Sequence, residues 1–116
     1  MRVLVCGGRN YCGMDEDEHV YMMLDKIHRQ TPITKLIEGG AAGVDTTARR
    51  WAGERAINRV TVHADWAAYG RAAGPLRNQR MLDEFTPSLV VAFPGGSGTA
   101  DMVARAVQAG IGVMMC

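Results

Sequence analysis

What this 116-residue chain lacks narrows its possible roles before any motif is read. It has only three cysteines, Cys6, Cys12 and Cys116, with no C-x-x-C pair, and His19, His28 and His63 do not stand beside them at metal-ligand spacing. A disulfide framework is excluded, no metal or cofactor is expected, and a reduced, cytoplasmic setting fits. No apolar run approaches the ~20 residues of a membrane-spanning helix, and Met1-Arg2-Val3-Leu4-Val5-Cys6 is too short for a signal h-region before the glycines begin. Neither membrane partner nor export is expected. Charge of one sign is lacking too, for the net charge is +1. That argues against a nucleic-acid coat but leaves room for a few arginines around one phosphate. With 47% hydrophobic and 22% charged residues the chain is too apolar for disorder, and its length suits one domain spanning residues 1–116. No repeat, linker or low-complexity segment divides it.

What is present is an alternation of strand and helix patterns. Five short apolar runs, Val3–Cys6, Lys35–Glu38, Arg59–His63, Leu89–Phe93 and Gly112–Met115, are separated by helical periodicities. The first helix is expected from about Asp15, with acidic residues at its positive end and Val20, Met23, Leu24 and Ile27 along one face; Thr31-Pro32 ends it. The second follows Gly43, the third begins around Pro75 and stops at Thr86-Pro87, and the fourth runs from about Thr99 to Ala109 before Gly110. This order predicts an α/β, Rossmann-like, doubly wound fold with about five parallel strands and four helices.

Such a fold gathers the loops after its strands along one edge, and here three of those loops are glycine-rich. Gly7-Gly8-Arg9, Glu38-Gly39-Gly40-Ala41-Ala42-Gly43 and Pro94-Gly95-Gly96-Ser97-Gly98-Thr99 should meet there and form the ligand crevice. The last is the sharpest signal: successive glycines let the backbone approach an anion, and the N-terminus of the next helix points free N–H groups at it. Neither standard nucleotide fingerprint is present. Gly8-x-x-x-x-Gly13 is followed by Met14-Asp15 where a P-loop needs Lys and Ser or Thr, and no G-x-G-x-x-G occurs. Asp45 has two readings, a carboxylate complementing its helix dipole or an acceptor for a ribose or base. Glu38 has the position to contact a ribose. Arg77 enters the third helix in its first turn, where a cation opposes the dipole unless an anion compensates, so it reads as a phosphate clamp. Arg71 and Arg80 read more simply as solvated. The rings of Trp66 and Tyr69 either stack on a base or cap the core.

Together Cys6-Gly7-Gly8-Arg9, Gly39-Gly40-Ala41-Ala42-Gly43-Val44-Asp45, Gly74-Pro75-Leu76-Arg77-Asn78 and Pro94–Met102 resemble the SLOG superfamily of Rossmann-like nucleotide-binding proteins. The best match is to the small YspA-type (DUF2493) members, which are common in bacteria and phages. The resemblance implies a nucleotide or nucleotide-derived ligand. The related LOG phosphoribohydrolases carry P-G-G-x-G-T-x-x-E and an upstream R-K-x-x-M, whose arginine and final glutamate are linked to N-glycosidic cleavage. Arg77 and Met81 match the upstream pair, but Asn78 replaces the lysine and Met102 replaces the glutamate. A thioether can neither take a proton nor stabilise an oxocarbenium-like charge. Asp101 lies one residue, hence ~100° of helix, away from that position.

The expected ligand-binding set is Gly7, Gly8, Arg9, Gly39, Gly40, Asp45, Arg77, Asn78 and Pro94 through Thr99 (Pro94, Gly95, Gly96, Ser97, Gly98, Thr99). The expected role is a sensor or sequestering protein for a nucleotide signal rather than an enzyme. One alternative is a nucleotide N-glycosidase using Arg77 with Asp101 or Glu38; a second, implied by DprA-like members that share a G-x-A-x-G-I-D segment, is single-stranded DNA binding. Apolar stripes on the outer helices lead to the expectation of a homodimer or higher homo-oligomer.

Overall fold

A computed structural model describes all residues, 1–116. One five-stranded sheet is formed by β1 (Arg2–Cys6), β2 (Lys35–Glu38), β3 (Asn58–Thr61), β4 (Leu89–Ala92) and β5 (Gly112–Met115), in the order β3-β2-β1-β4-β5. Every neighbouring pair is parallel. The strand order reverses between β1 and β4, so the loops that follow these two strands splay apart and leave a crevice at their carboxyl ends.

The helices are α1 (Met14–Gln30), α2 (Val44–Glu54), α3 (Trp66–Tyr69, a single turn continued by a 3₁₀ turn), α4 (Ala73–Phe85) and α5 (Ser97–Gln108). Four long helices were expected and four are found. Because side chains alternate along a strand, β1 feeds two cores at once. Val3 and Val5 pack with Val20, Leu24, Ile27, Ala48 and Trp51 under α1 and α2. Leu4 packs with Ile37, Met81, Leu82, Met102 and Ala106 under α4 and α5. This double covering explains why the strands read as nearly continuous apolar runs.

Two boundaries differ from expectation for local reasons. Helix α4 starts at Ala73, two residues before Pro75, which a first helical turn accepts because those N–H groups have no intrahelical partner anyway. Helix α5 starts at Ser97 and so takes the end of the glycine turn into its first turn. No helix is long and apolar enough to cross a membrane.

Candidate functional site

The glycine turns after β1 and β4 meet as expected. Gly8 N donates to the Pro94 carbonyl at 2.8 Å. A Cβ on Gly95 would collide with Thr99 Oγ1 and lie 2.7 Å from Gly8 N, and one on Gly8 would lie 3.0 Å from the Pro94 oxygen. These two glycines are therefore demanded by backbone packing. Gly43 joins the third turn to the first: it adopts φ +75°, and a Cβ there would run into the Gly8 carbonyl oxygen.

Gly96 and Gly98 are different, because neither has any neighbour within 4 Å of its would-be Cβ and neither has a positive φ. The fold makes no demand for glycine at either position. Beside them, the backbone N–H groups of Gly95, Gly96, Ser97, Gly98 and Thr99 have no protein acceptor; the first amide of this segment to be bonded is that of Ala100, to Gly96 O at 3.1 Å. Helix α5 also lacks a side-chain cap. Five consecutive donors at the positive end of α5 are thus left without a protein acceptor, which is the arrangement that holds an oxyanion.

The turn after β2 is held by charge. Asp45 is buried, and its Oδ2 accepts from Gly39 N at 3.2 Å and Ala41 N at 3.1 Å. Neither reading of Asp45 anticipated this: the carboxylate ties down its own loop, while Oδ1 makes no hydrogen bond. Burial pushes its pKa up to about 6, against the pull of the Ala41 amide, with the charge of Glu38 adding to the rise. Glu38 is wholly buried; Oε2 accepts from Gly40 N at 3.2 Å, Oε1 has no hydrogen-bond partner, and Arg49 Nη1 stands 3.7 Å from it. As placed, it has no surface to offer a ribose. Burial and the Asp45 charge raise the Cys6 thiol to about 12, which leaves it inert as a nucleophile.

Arg77 lies at this turn rather than at the glycines after β4. Its Nη1 donates to Gly39 O at 2.6 Å and its Nε to Asn78 Oδ1 at 3.1 Å, so only Nη2 makes no hydrogen bond. Burial pulls its pKa down, Asp45 and Glu38 pull it up, and Arg9 pulls it down again, which places the two guanidinium groups within range of each other. Because α4 starts at Ala73, Arg77 is its fifth residue and not in the first turn as expected, and its charge is partly compensated by buried carboxylates rather than opposed by the helix end. Arg9 has no carboxylate within ion-pair distance; its guanidinium carbon lies 6.0 Å from the Trp66 ring centroid.

Asn78 is buried, and its Nδ2 donates to Gly98 O at 3.2 Å and to Asp101 Oδ2 at 3.0 Å. It braces the first turn of α5 from α4. Asp101 also accepts from Arg105 Nε at 2.8 Å. Partial burial raises its pKa, but the Arg105 and Asn78 hydrogen bonds outweigh that and hold the carboxyl below its usual range. Such a carboxylate has no proton to give near neutrality. Met102 is 1% exposed and belongs to the core under α4 and α5, so the position of the LOG glutamate faces away from the crevice. No group of three or more His, Cys, Asp or Glu side chains is placed to hold a metal ion.

Sequence reasoning did not foresee the wall behind the turn. Tyr11 OH and His19 Nδ1 lie 2.6 Å apart, and both rings pack on Phe93, the residue before Pro94. Eight residues separate Tyr11 from His19 across a helix start, a spacing that carries no periodic signal. On the β5 side of the turn, Phe93, Pro94, Gly96, Val103, Met115 and Cys116 line a cleft of about 550 Å³.

The model of the YspA, cpYpsA-related SLOG family matches residues 1–69. The chain belongs to this family. Gene 61 protein of Mycobacterium phage D29 is 33% identical over 120 residues, covering 97% of this chain and 94% of the phage protein. Among solved structures, TM1055, a structural genomics target, superposes with a TM-score of 0.73 at 20% identity, covering 97% of this chain and 71% of its own. The molybdenum cofactor carrier protein of Chlamydomonas reinhardtii gives 0.71 at 21% identity, covering 98% and 75%. DNA processing protein A of Streptococcus pneumoniae gives 0.54 at 17% identity, covering 97% and 58%. At these identities the structures share the Rossmann-like fold, which in this SLOG family is a nucleotide-related binding fold.

Proposed function

We propose that this SLOG protein binds a nucleotide or nucleotide-derived small molecule through the turn Pro94–Thr99, as a sensor, carrier or sequestering protein. The observation that carries the reading is the pair Gly96 and Gly98, where no packing contact or positive φ requires glycine, set among five consecutive backbone N–H groups with no protein acceptor. Arg9, which follows Gly8 where that residue bonds Pro94, is the cation offered to a phosphate seated there, while Arg77 keeps Nη2 uncommitted at the neighbouring β2–α2 turn. Asp45 Oδ1 would be the acceptor for a sugar hydroxyl. A carrier role is in keeping with the fold neighbour that is a molybdenum cofactor carrier.

Thermal-shift and calorimetric titration with nucleoside monophosphates, cyclic dinucleotides and ADP-ribose derivatives tests this. At least one should bind, and Gly96→Val, whose side chain enters open space, should weaken it at least tenfold while the protein stays folded. If no phosphorylated nucleoside binds, the reading is wrong. The N-glycosidase alternative has less support, because Asp101 is tied to Asn78 and Arg105, Glu38 is enclosed and Met102 is in the core; release of free base from AMP would revive it. Single-stranded DNA binding would show as a mobility shift that weakens steeply with salt. Self-association is proposed through the exposed Val107 and Met115 beside the β5 cleft, and light scattering tests it.

A further inference from the structure

We propose that Trp66 is a stacking platform for a planar heteroaromatic ring, so that the crevice selects a phosphorylated nucleoside, or a compound of that class, over a bare phosphosugar. This rests on the phosphate-binding reading above and assigns the other end of the same ligand. The indole is 50% exposed and Tyr69 on the same turn is 58% exposed. Neither belongs to a hydrophobic core, and α3 buries no residue at all. Two large aromatic side chains left in water on one turn call for an explanation that the fold does not supply.

The platform is nevertheless fixed in place. Asp65 Oδ1 accepts from Ala68 N at 3.0 Å and caps the turn. The far edge of the indole rests on Gly74, where a Cβ would lie 3.3 Å from Trp66 Cη2, so the ring lies over the first turn of α4, the helix that carries Arg77. The ring also faces Arg9, which follows directly on Gly8, and Gly8 is hydrogen-bonded to Pro94. Arg9 therefore bridges the ring and the glycine turn, and Arg77 stands on the helix over whose first turn the ring lies. Arg9 lacks a carboxylate within ion-pair distance, whereas Arg77 is partly compensated by Asp45 and Glu38, so Arg9 supplies the positive charge where a phosphate would sit and Trp66 the aromatic face where a base would follow. The cleft on the β5 side is the competing place for a ring. It has volume, but apart from the turn itself it presents no cation.

Calorimetric titration with AMP, GMP, CMP, UMP, ribose 5-phosphate and inorganic phosphate tests the assignment. At least one nucleotide should bind about tenfold or more tighter than ribose 5-phosphate, in line with the effect of removing a stacking aromatic. Trp66→Ala should abolish that difference and leave ribose 5-phosphate affinity unchanged, Trp66→Phe should keep most of it, and melting curves should match wild type. Survival of the difference in Trp66→Ala overturns the proposal; its loss in Val103→Trp, which fills the β5 cleft, would then place the ring there. Nucleotides binding no tighter than ribose 5-phosphate would also overturn it while sparing the phosphate site. Failure of every probe would instead overturn the phosphate site and this assignment together.

Discussion

The fourteen glycines of this chain do different work, and the difference decides how each would respond to substitution. Gly43 combines φ +75° with a Cβ position blocked by a backbone carbonyl. An alanine there meets both left-handed strain and a steric clash that no side-chain rotation relieves, so Gly43→Ala should lower unfolding stability by about 2 kcal/mol or more in urea titration. Gly98 is the reverse case: it is helical, inside α5 and faces nothing. Gly98→Ala should raise the stability of the ligand-free protein by roughly 0.5–1 kcal/mol, because alanine loses less backbone freedom on folding. The same substitution should weaken nucleotide binding. A glycine retained at a position where alanine would stabilise the fold is explained by function, so unchanged affinity in Gly98→Ala would count against the site. The sequence could show that both were glycines. Only the surroundings separate one required by the chain from one left open for a ligand.

At the scale of elements, the β2–α2 turn is a buried electrostatic assembly to which β2, α2 and α4 each contribute a charge. Asp45 holds the Gly39 and Ala41 amides, Arg77 of α4 holds the Gly39 carbonyl, and Glu38 lies beneath. Burial raises the Asp45 pKa from 3.8 to about 6, so the folded state binds a proton more tightly than the unfolded chain does. The stabilisation from that proton is complete below pH ~4 and is lost as pH rises through ~6, a change on the order of 3 kcal/mol. Asp45→Asn cannot ionise. The stability difference, wild type minus variant, should therefore fall as pH is raised from 4 to 7; a flat difference would mean that Asp45 is not held as described. The elements themselves were legible because parallel strands covered on both faces read as uninterrupted apolar runs and the long helices keep their 3.6-residue period. The α3 turn was not, since four residues carry no period. Nor could the bracing roles of Arg77 and Asn78 be read, for each acts on a partner from a distant loop or helix, and that of Asp45 depends on how its own loop folds back onto it.

For the whole molecule, the question is whether two hydrophobic layers separated by one sheet behave as a single unit. The radius of gyration is 13.0 Å, close to the value that length scaling gives a compact chain of this size. More telling is the central strand, where Val3 and Val5 serve the layer under α1 and α2 while Leu4, between them, serves the layer under α4 and α5. Strand β1 cannot leave one layer without leaving the other. Leu4→Ala should lower stability by roughly 2–5 kcal/mol, and the thermal midpoint by on the order of 10 °C. Trp51 is wholly buried in the opposite layer and its Nε1 donates to Asp25 at 2.9 Å, so its fluorescence reports on α1 and α2 rather than on the mutated side. In a Trp66→Phe background, where Trp51 is the single tryptophan, its melting curve should shift together with the far-ultraviolet dichroism and remain one transition. If Leu4→Ala left the Trp51 curve in place while the helical signal moved, the layers would unfold separately. The crevice would then be a joint between two units, because its β1 and β4 turns are carried by the shared strands but its Arg77 and its Asp45 come from opposite faces.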